Sequence, residues 1–78
     1  MTKRLTELRT NESAKVVELG GSESVQNRFK ELGIFPGTTV SCFAKAILGG
    51  PLMVTCRGSK IALRSQIAQH VVVENAAA

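Results

Sequence analysis

Between Val25 and Leu32 the apolar residues Val25, Phe29 and Leu32 fall at the i, i+4, i+7 spacing of one helical face, while Gln26, Asn27, Arg28, Lys30 and Glu31 fall elsewhere. This spacing predicts one amphipathic helix, ending in Leu32-Gly33-Ile34-Phe35-Pro36-Gly37. Gly33 suits the left-handed position beyond a helix end, where a side chain would clash, and Ile34 can then fold back on the last turn. Pro36-Gly37 suits a type II turn that launches a strand. Ser22 or Ser24 can cap the helix start, where Glu23 complements the dipole.

Elsewhere the apolar period is mostly two. Leu5 and Leu8, three apart, make one helical turn able to lid a core, and Ala14 to Leu19 predicts a first strand. Val16 and Val17 are both apolar, so the facing of that strand stays ambiguous. After the Pro-Gly turn, Val40, Cys42, Ala44 and Ala46 alternate with Thr39, Ser41, Phe43 and Lys45. Leu52, Val54 and Cys56 alternate with Met53, Thr55 and Arg57, and the loop Gly49-Gly50-Pro51 makes the two runs a hairpin. Gly58 marks the next reversal, before Ile61 and Leu63 alternate with Lys60, Ala62 and Arg64. Ser65 caps a short turn through Ile67 and Ala68, and Val71-Val72-Val73 closes the series. The pattern predicts a mainly β chain of about five short strands, one amphipathic helix and a short second helical turn. An open sheet of that size exposes two edges, which favours a small barrel with the helix over one opening.

With 78 residues the chain is read as a single domain over 1–78, with Asn75 to Ala78 as a frayed tail. The longest charge-free run, Leu32 to Ala44, contains Gly33, Pro36 and Gly37 and is shorter than the ~18 apolar residues of a spanning helix. Glu7 stands where a signal peptide needs its apolar region, so a cytoplasmic protein with reduced cysteines is expected. The net charge of +4 favours acidic partners. Its ten cations are scattered singly or in pairs, and aromatics make up 4% with no Trp or Tyr, which argues against nucleic acid.

The six glutamates form no spaced pair with His70, no serine lies in a triad-like context, and neither GxGxxG nor GxxxxGK[ST] occurs. Neither an enzyme nor a bound cofactor is expected. Cys42 and Cys56 share inward parity on adjacent strands, but a structural metal site wants four ligands at short paired spacings, and no CxxC is present. Both cysteines read as small buried hydrophobes, which leaves weak surface capture of a divalent ion by His70 and Glu74. If Val40, Cys42, Leu52, Val54 and Cys56 point inward, Phe43 and Met53 point outward beside Lys45 and Arg57, an apolar and basic surface suited to docking a partner. Phe43 has the alternative of lying inside, under the Leu5–Leu8 segment. The helix face around Arg28 and Glu31 is the next candidate surface.

Taken in order, LxxL at Leu5 to Leu8, VVELGG at Val16 to Gly21, RFKELGIFPG at Arg28 to Gly37, GGP at Gly49 to Pro51 and IALR at Ile61 to Arg64, followed by Ala68 and Val71-Val-Val, resemble the FeoA family of small ferrous iron transport proteins. Arg9-Thr10-Asn11-Glu12 departs from the Pro-Gly-type turn frequent there. The resemblance implies an SH3-like barrel and a non-catalytic role beside FeoB, the membrane Fe(II) transporter with a cytosolic G-protein domain. Contact with the membrane would then run only through that transporter. FeoA-like domains also resemble the C-terminal domains of iron-dependent repressors, so the resemblance carries a second reading, a transition-metal-binding or metal-sensing domain using Cys42, Cys56, His70 or Glu74.

Overall fold

The computed structural model describes residues 2–45 and 50–75. Strand β1 (Thr2–Arg4) leads into a 3₁₀ turn (Leu5–Glu7), followed by β2 (Glu12–Leu19) and helix α1 (Glu23–Leu32). Strands β3 (Thr39–Lys45), β4 (Leu52–Cys56) and β5 (Ser59–Leu63) follow, then the one-turn helix α2 (Ser65–Ala68) and β6 (Val71–Asn75). The expected continuation to Ala46, Gly49 of the hairpin loop and the tail residues 76–78 lie outside the described residues. Asn75, expected in that tail, is the last residue of β6 and pairs with Ala14.

Among the described residues all pairings are antiparallel, in one six-stranded sheet of order β1-β6-β2-β3-β4-β5 that forms a small SH3-like barrel. The strand absent from the sequence reading is β1, three residues with no alternation to mark them, held by pairing with β6. Lys3 Nζ on β1 donates to Glu12 Oε2 on β2 at 2.9 Å, tying the edge strand to the body. Asn11, at φ 70°, takes the left-handed position of the turn before β2, and the Glu12 carboxylate accepts from the Arg9 N–H at 2.8 Å. That backbone hydrogen bond, reinforced by Lys3, holds the Glu12 carboxyl below the usual carboxylate range.

Two bulges break the period of two. On β2 the register shifts between Val16 and Glu18, so that Val16 lies in the core and Val17 is half-buried; the ambiguity of two adjacent valines is the bulge itself. On β3 the shift falls between Cys42 and Ala44, which leaves Phe43 as the extra residue.

Helix α1 starts at Ser22, whose Oγ accepts from the Val25 N–H at 3.3 Å, and carries Glu23 in its first turn. Its end is the predicted closure. Gly33 has φ 79°, and the Ile34 N–H donates to the Phe29 carbonyl at 2.9 Å, the 6→1 bond of a Schellman motif. Gly37 has φ 95°, and the Thr38 N–H donates to the Phe35 carbonyl at 3.0 Å, completing the Pro36-Gly37 turn. Of the three residues on the apolar stripe only Phe29 is fully buried; Val25 and Leu32 pack partly buried against the core. Leu5 and Leu8 are fully buried, as a lid requires.

Phe29→Ala should therefore cost about 3–5 kcal/mol in denaturant unfolding, and Leu32→Ala less, because part of its side chain already meets water. A Cβ on Gly33 meets no atom within 4 Å, so Gly33→Val should lose about 1–2 kcal/mol through left-handed strain alone. Equal losses at Phe29 and Leu32 would contradict this assignment of the helix face.

Candidate functional site

On β3, β4 and β5 the registry sets Ser41 opposite Thr55 and Thr55 opposite Lys60, with Met53 opposite Ala62. These residues share the side of the sheet away from the core, because Cys42, Val54 and Ile61 alternate with them and are buried. Ser41 continues the row to β2 through a 2.6 Å bond between its Oγ and that of Ser13. Beside this polar row lie Phe43 and Met53, each half-buried. Phe43 is thus outside the fully buried core, on the outward parity of Ser41, and the bulge brings Ala44 opposite outward Met53. The Lys60 ammonium stands 5.6 Å from the Phe43 ring centroid, within cation–π range.

The four residues expected to dock a partner do not form one ring. Lys45, opposite Leu52, is exposed at one end of the hairpin, where its Nζ donates to the Thr6 carbonyl at 2.9 Å. Arg57 is exposed beyond the other end of β4, at φ 52° in the two-residue turn between Cys56 and Ser59. Five residues of strand, about 16 Å, separate those ends. The cation that accompanies Phe43 is Lys60, a residue the sequence reading passed over. Its signal was available: a two-residue turn at Arg57-Gly58 sets Thr55 opposite Lys60, on the outward parity of Met53.

A second concavity, about 710 Å³, lies between α1 and the β5–α2 segment. Val25, Leu63 and Ile67 give it an apolar floor, and Arg28, Glu31 and Arg64 stand on its walls. Arg28 Nη1 is 3.8 Å from Glu31 Oε1, an exposed pair of little energetic weight. Among the described residues the exposed large apolar side chain is Phe35, at 41% on the turn after α1.

The candidate ligands for a metal are Cys42, Cys56, His70 and Glu74. Cys42 and Cys56 are buried free thiols whose sulfurs turn to different carbonyls, Cys42 Sγ to Ala44 and Cys56 Sγ to Gly33, each at 3.7 Å. Burial pushes the Cys56 thiol above its ordinary range, partly offset by the charge of Arg57, which disfavours the thiolate a metal needs. His70 is half-buried and Glu74 is exposed on β6, four residues along a strand or about 13 Å. Among the described residues no three His, Cys, Asp or Glu side chains group as a metal would require. No helix among them is long and apolar enough to cross a membrane.

The FeoA domain family matches residues 3–75. Among solved structures, FeoA of Stenotrophomonas maltophilia in complex with zinc, described as a prokaryotic SH3 domain protein, is 34% identical over 92% of this chain and 89% of that one, with a TM-score of 0.75. FeoA from Chlorobium tepidum is 28% identical over 96% of this chain and 71% of that one, with a TM-score of 0.88. A manganese-dependent transcriptional repressor shares the fold at a TM-score of 0.89 and 19% identity; the chain spans 41% of its length. No curated protein matches the sequence.

With both sulfurs inside the core, the native protein should resist iodoacetamide at neutral pH, whereas chain unfolded in guanidinium should be alkylated at Cys42 and Cys56 within minutes. Mass spectrometry after a timed quench distinguishes them. Rapid labelling of the native protein would place a sulfur at the surface and return it to the ligand inventory.

Proposed function

The chain belongs to the FeoA family, and from that membership we propose that it is a non-catalytic accessory protein of ferrous iron uptake, docking on the cytosolic side of a FeoB-type membrane Fe(II) transporter and modulating it. The observation that carries this reading is the outer face of β3–β5. Phe43 and Met53 lie there half-buried, with Lys60 over the ring, as an apolar centre beside a cation. Lys45 and Arg57 extend the positive charge to both ends of the same hairpin, where they would steer an acidic partner.

A second reading, metal binding or metal sensing, is favoured by the zinc complex of the Stenotrophomonas maltophilia relative. Here it would have to work through Cys42, Cys56, His70 or Glu74, and among the described residues no three such side chains group. Anaerobic calorimetry with Fe(II) or Zn(II) separates the two. A stoichiometric, high-affinity isotherm abolished by Cys42→Ser or Cys56→Ser would favour the metal reading.

For the docking reading, Met53→Ser combined with Lys60→Glu should stay folded, losing no more than about 1 kcal/mol because both side chains are at least partly exposed. It should weaken retention on the detergent-solubilised full-length transporter by about tenfold or more, and lower iron uptake in cells carrying it. Arg57→Glu, at the far end of the hairpin, should have a smaller effect. Wild-type binding and uptake by the folded double variant would move the functional surface elsewhere.

A further inference from the structure

β5 ends the sheet. It pairs with β4 on one side and, among the described residues, with no strand on the other. The two-residue turn Arg57-Gly58 makes Cys56–Ser59 the closing hydrogen-bonded pair, so Val54–Ile61 and Leu52–Leu63 are bonded pairs and the intervening Thr55–Lys60 and Met53–Ala62 are not. The backbone N–H and C=O groups of Lys60 and Ala62 therefore point away from β4, along the free edge. Both residues are exposed, and their backbone groups bond to no turn or loop among the described residues.

The concavity beside α1 opens on the last residues of this edge, at Ala62 and Leu63, with Lys60 just beyond it. Ala62 and Leu63 both line it although their side chains face opposite sides of the sheet, which requires a groove running past the strand's edge. Its far wall is α1 from Glu23 to Glu31, about 12 Å of helix at 1.5 Å per residue. That length matches roughly four residues of extended chain.

Charge selects the occupant. Lys45, Arg57, Lys60 and Arg64 are the only charged residues from Leu32 to Val73, while the other six cations are matched by the six glutamates, so the net charge of +4 resides in β3–β5 and the turn after it. On the groove's far wall the acid Glu31 already faces Arg28, leaving Glu23 as the other carboxylate there. A second copy of β5 along this edge would set Lys60 and Arg64 against the same cations. The opposite end strand, β1, carries Lys3 and Arg4, so neither edge of the sheet suits the other or itself.

We propose that the free edge of β5 is a strand-addition site for an extended acidic segment of a partner protein, bonded to the backbone of Lys60 and Ala62, its carboxylates meeting Lys60 and Arg64, and its apolar side chains entering the groove over Val25, Leu63 and Ile67. The site adjoins the Phe43–Met53 face, with which it shares Lys60, and holds whichever protein supplies the segment. Cations that bar self-pairing also choose the partner.

The test is nuclear magnetic resonance on the full chain, titrated with a synthetic peptide of alternating glutamate and valine and with its lysine–valine counterpart. The glutamate peptide should shift the Lys60 and Ala62 amides and slow their exchange with solvent, in a salt-sensitive manner, and the lysine peptide should not. Ala62→Pro removes a donor that faces solvent on an edge strand, where proline is tolerated, and should reduce affinity about tenfold with the fold retained. Lys60→Glu with Arg64→Glu, which leaves the backbone edge intact, should exchange the preference between the peptides. The proposal is overturned if neither peptide shifts these amides at millimolar concentration, or if the shifts map to Phe43 and Met53 alone. Self-association of the wild-type chain that Ala62→Pro abolishes would also overturn it, by assigning the edge to a second copy.

Discussion

The rest of the architecture hangs on the end of α1, where one residue serves two requirements. The ring of Phe29 is fully buried, and its carbonyl accepts the N–H of Ile34, itself fully buried after the left-handed Gly33. Helix and reversal are thereby fixed to the same core. Three residues on, Gly37 donates to the Val16 carbonyl at 2.7 Å and Val16 donates to the Thr38 carbonyl at 2.8 Å, which sets where β3 begins along β2. Successive antiparallel pairings then carry that register to β4 and β5, so the outward row of Ser41, Thr55 and Lys60 follows from a helix end some distance away.

Most of this was legible because local chemistry and global fold agree. Gly33, Pro36-Gly37 and Ser22 are each suited to one backbone conformation, and all three adopt it. The period of two gave β3, β4 and β5 their buried faces through Val40, Cys42, Leu52, Val54, Cys56, Ile61 and Leu63. What escaped was whatever depends on long-range pairing. Thr2–Arg4 has no intrinsic strand pattern and becomes β1 only because β6 offers an edge. Simple alternation could not anticipate the bulge between Cys42 and Ala44, and the Phe43–Lys60 contact needs β5 folded beside β4. The same limit applies to the groove at α1, since only the folded chain brings Arg28 and Arg64 to one cavity.

The physical character of the surface is uneven, and that unevenness is what the functional reading rests on. The charges of β1, β2, α1 and β6 balance, and some of them are spent on the Lys3–Glu12 and Arg28–Glu31 pairs. The acid-free stretch from Leu32 to Val73 keeps its cations uncompensated, with Lys60 over the half-buried Phe43 ring and Lys45, Arg57 and Arg64 spread to the ends of the strands. Sulfur and imidazole, the groups best suited to chemistry, are by contrast placed for packing: both thiols lie in the core and His70 ends a turn whose carbonyl accepts the Gly20 N–H. The proposed function is accordingly one of contact with a partner.

Amide hydrogen exchange of the full chain, alone and with the detergent-solubilised transporter, measures that claim most directly. Exchange should slow across β3, β4 and β5, with β1 and β6 unchanged. Protection confined to β1, β2 and β6, or no protection at all under conditions where the two proteins co-purify, would contradict it.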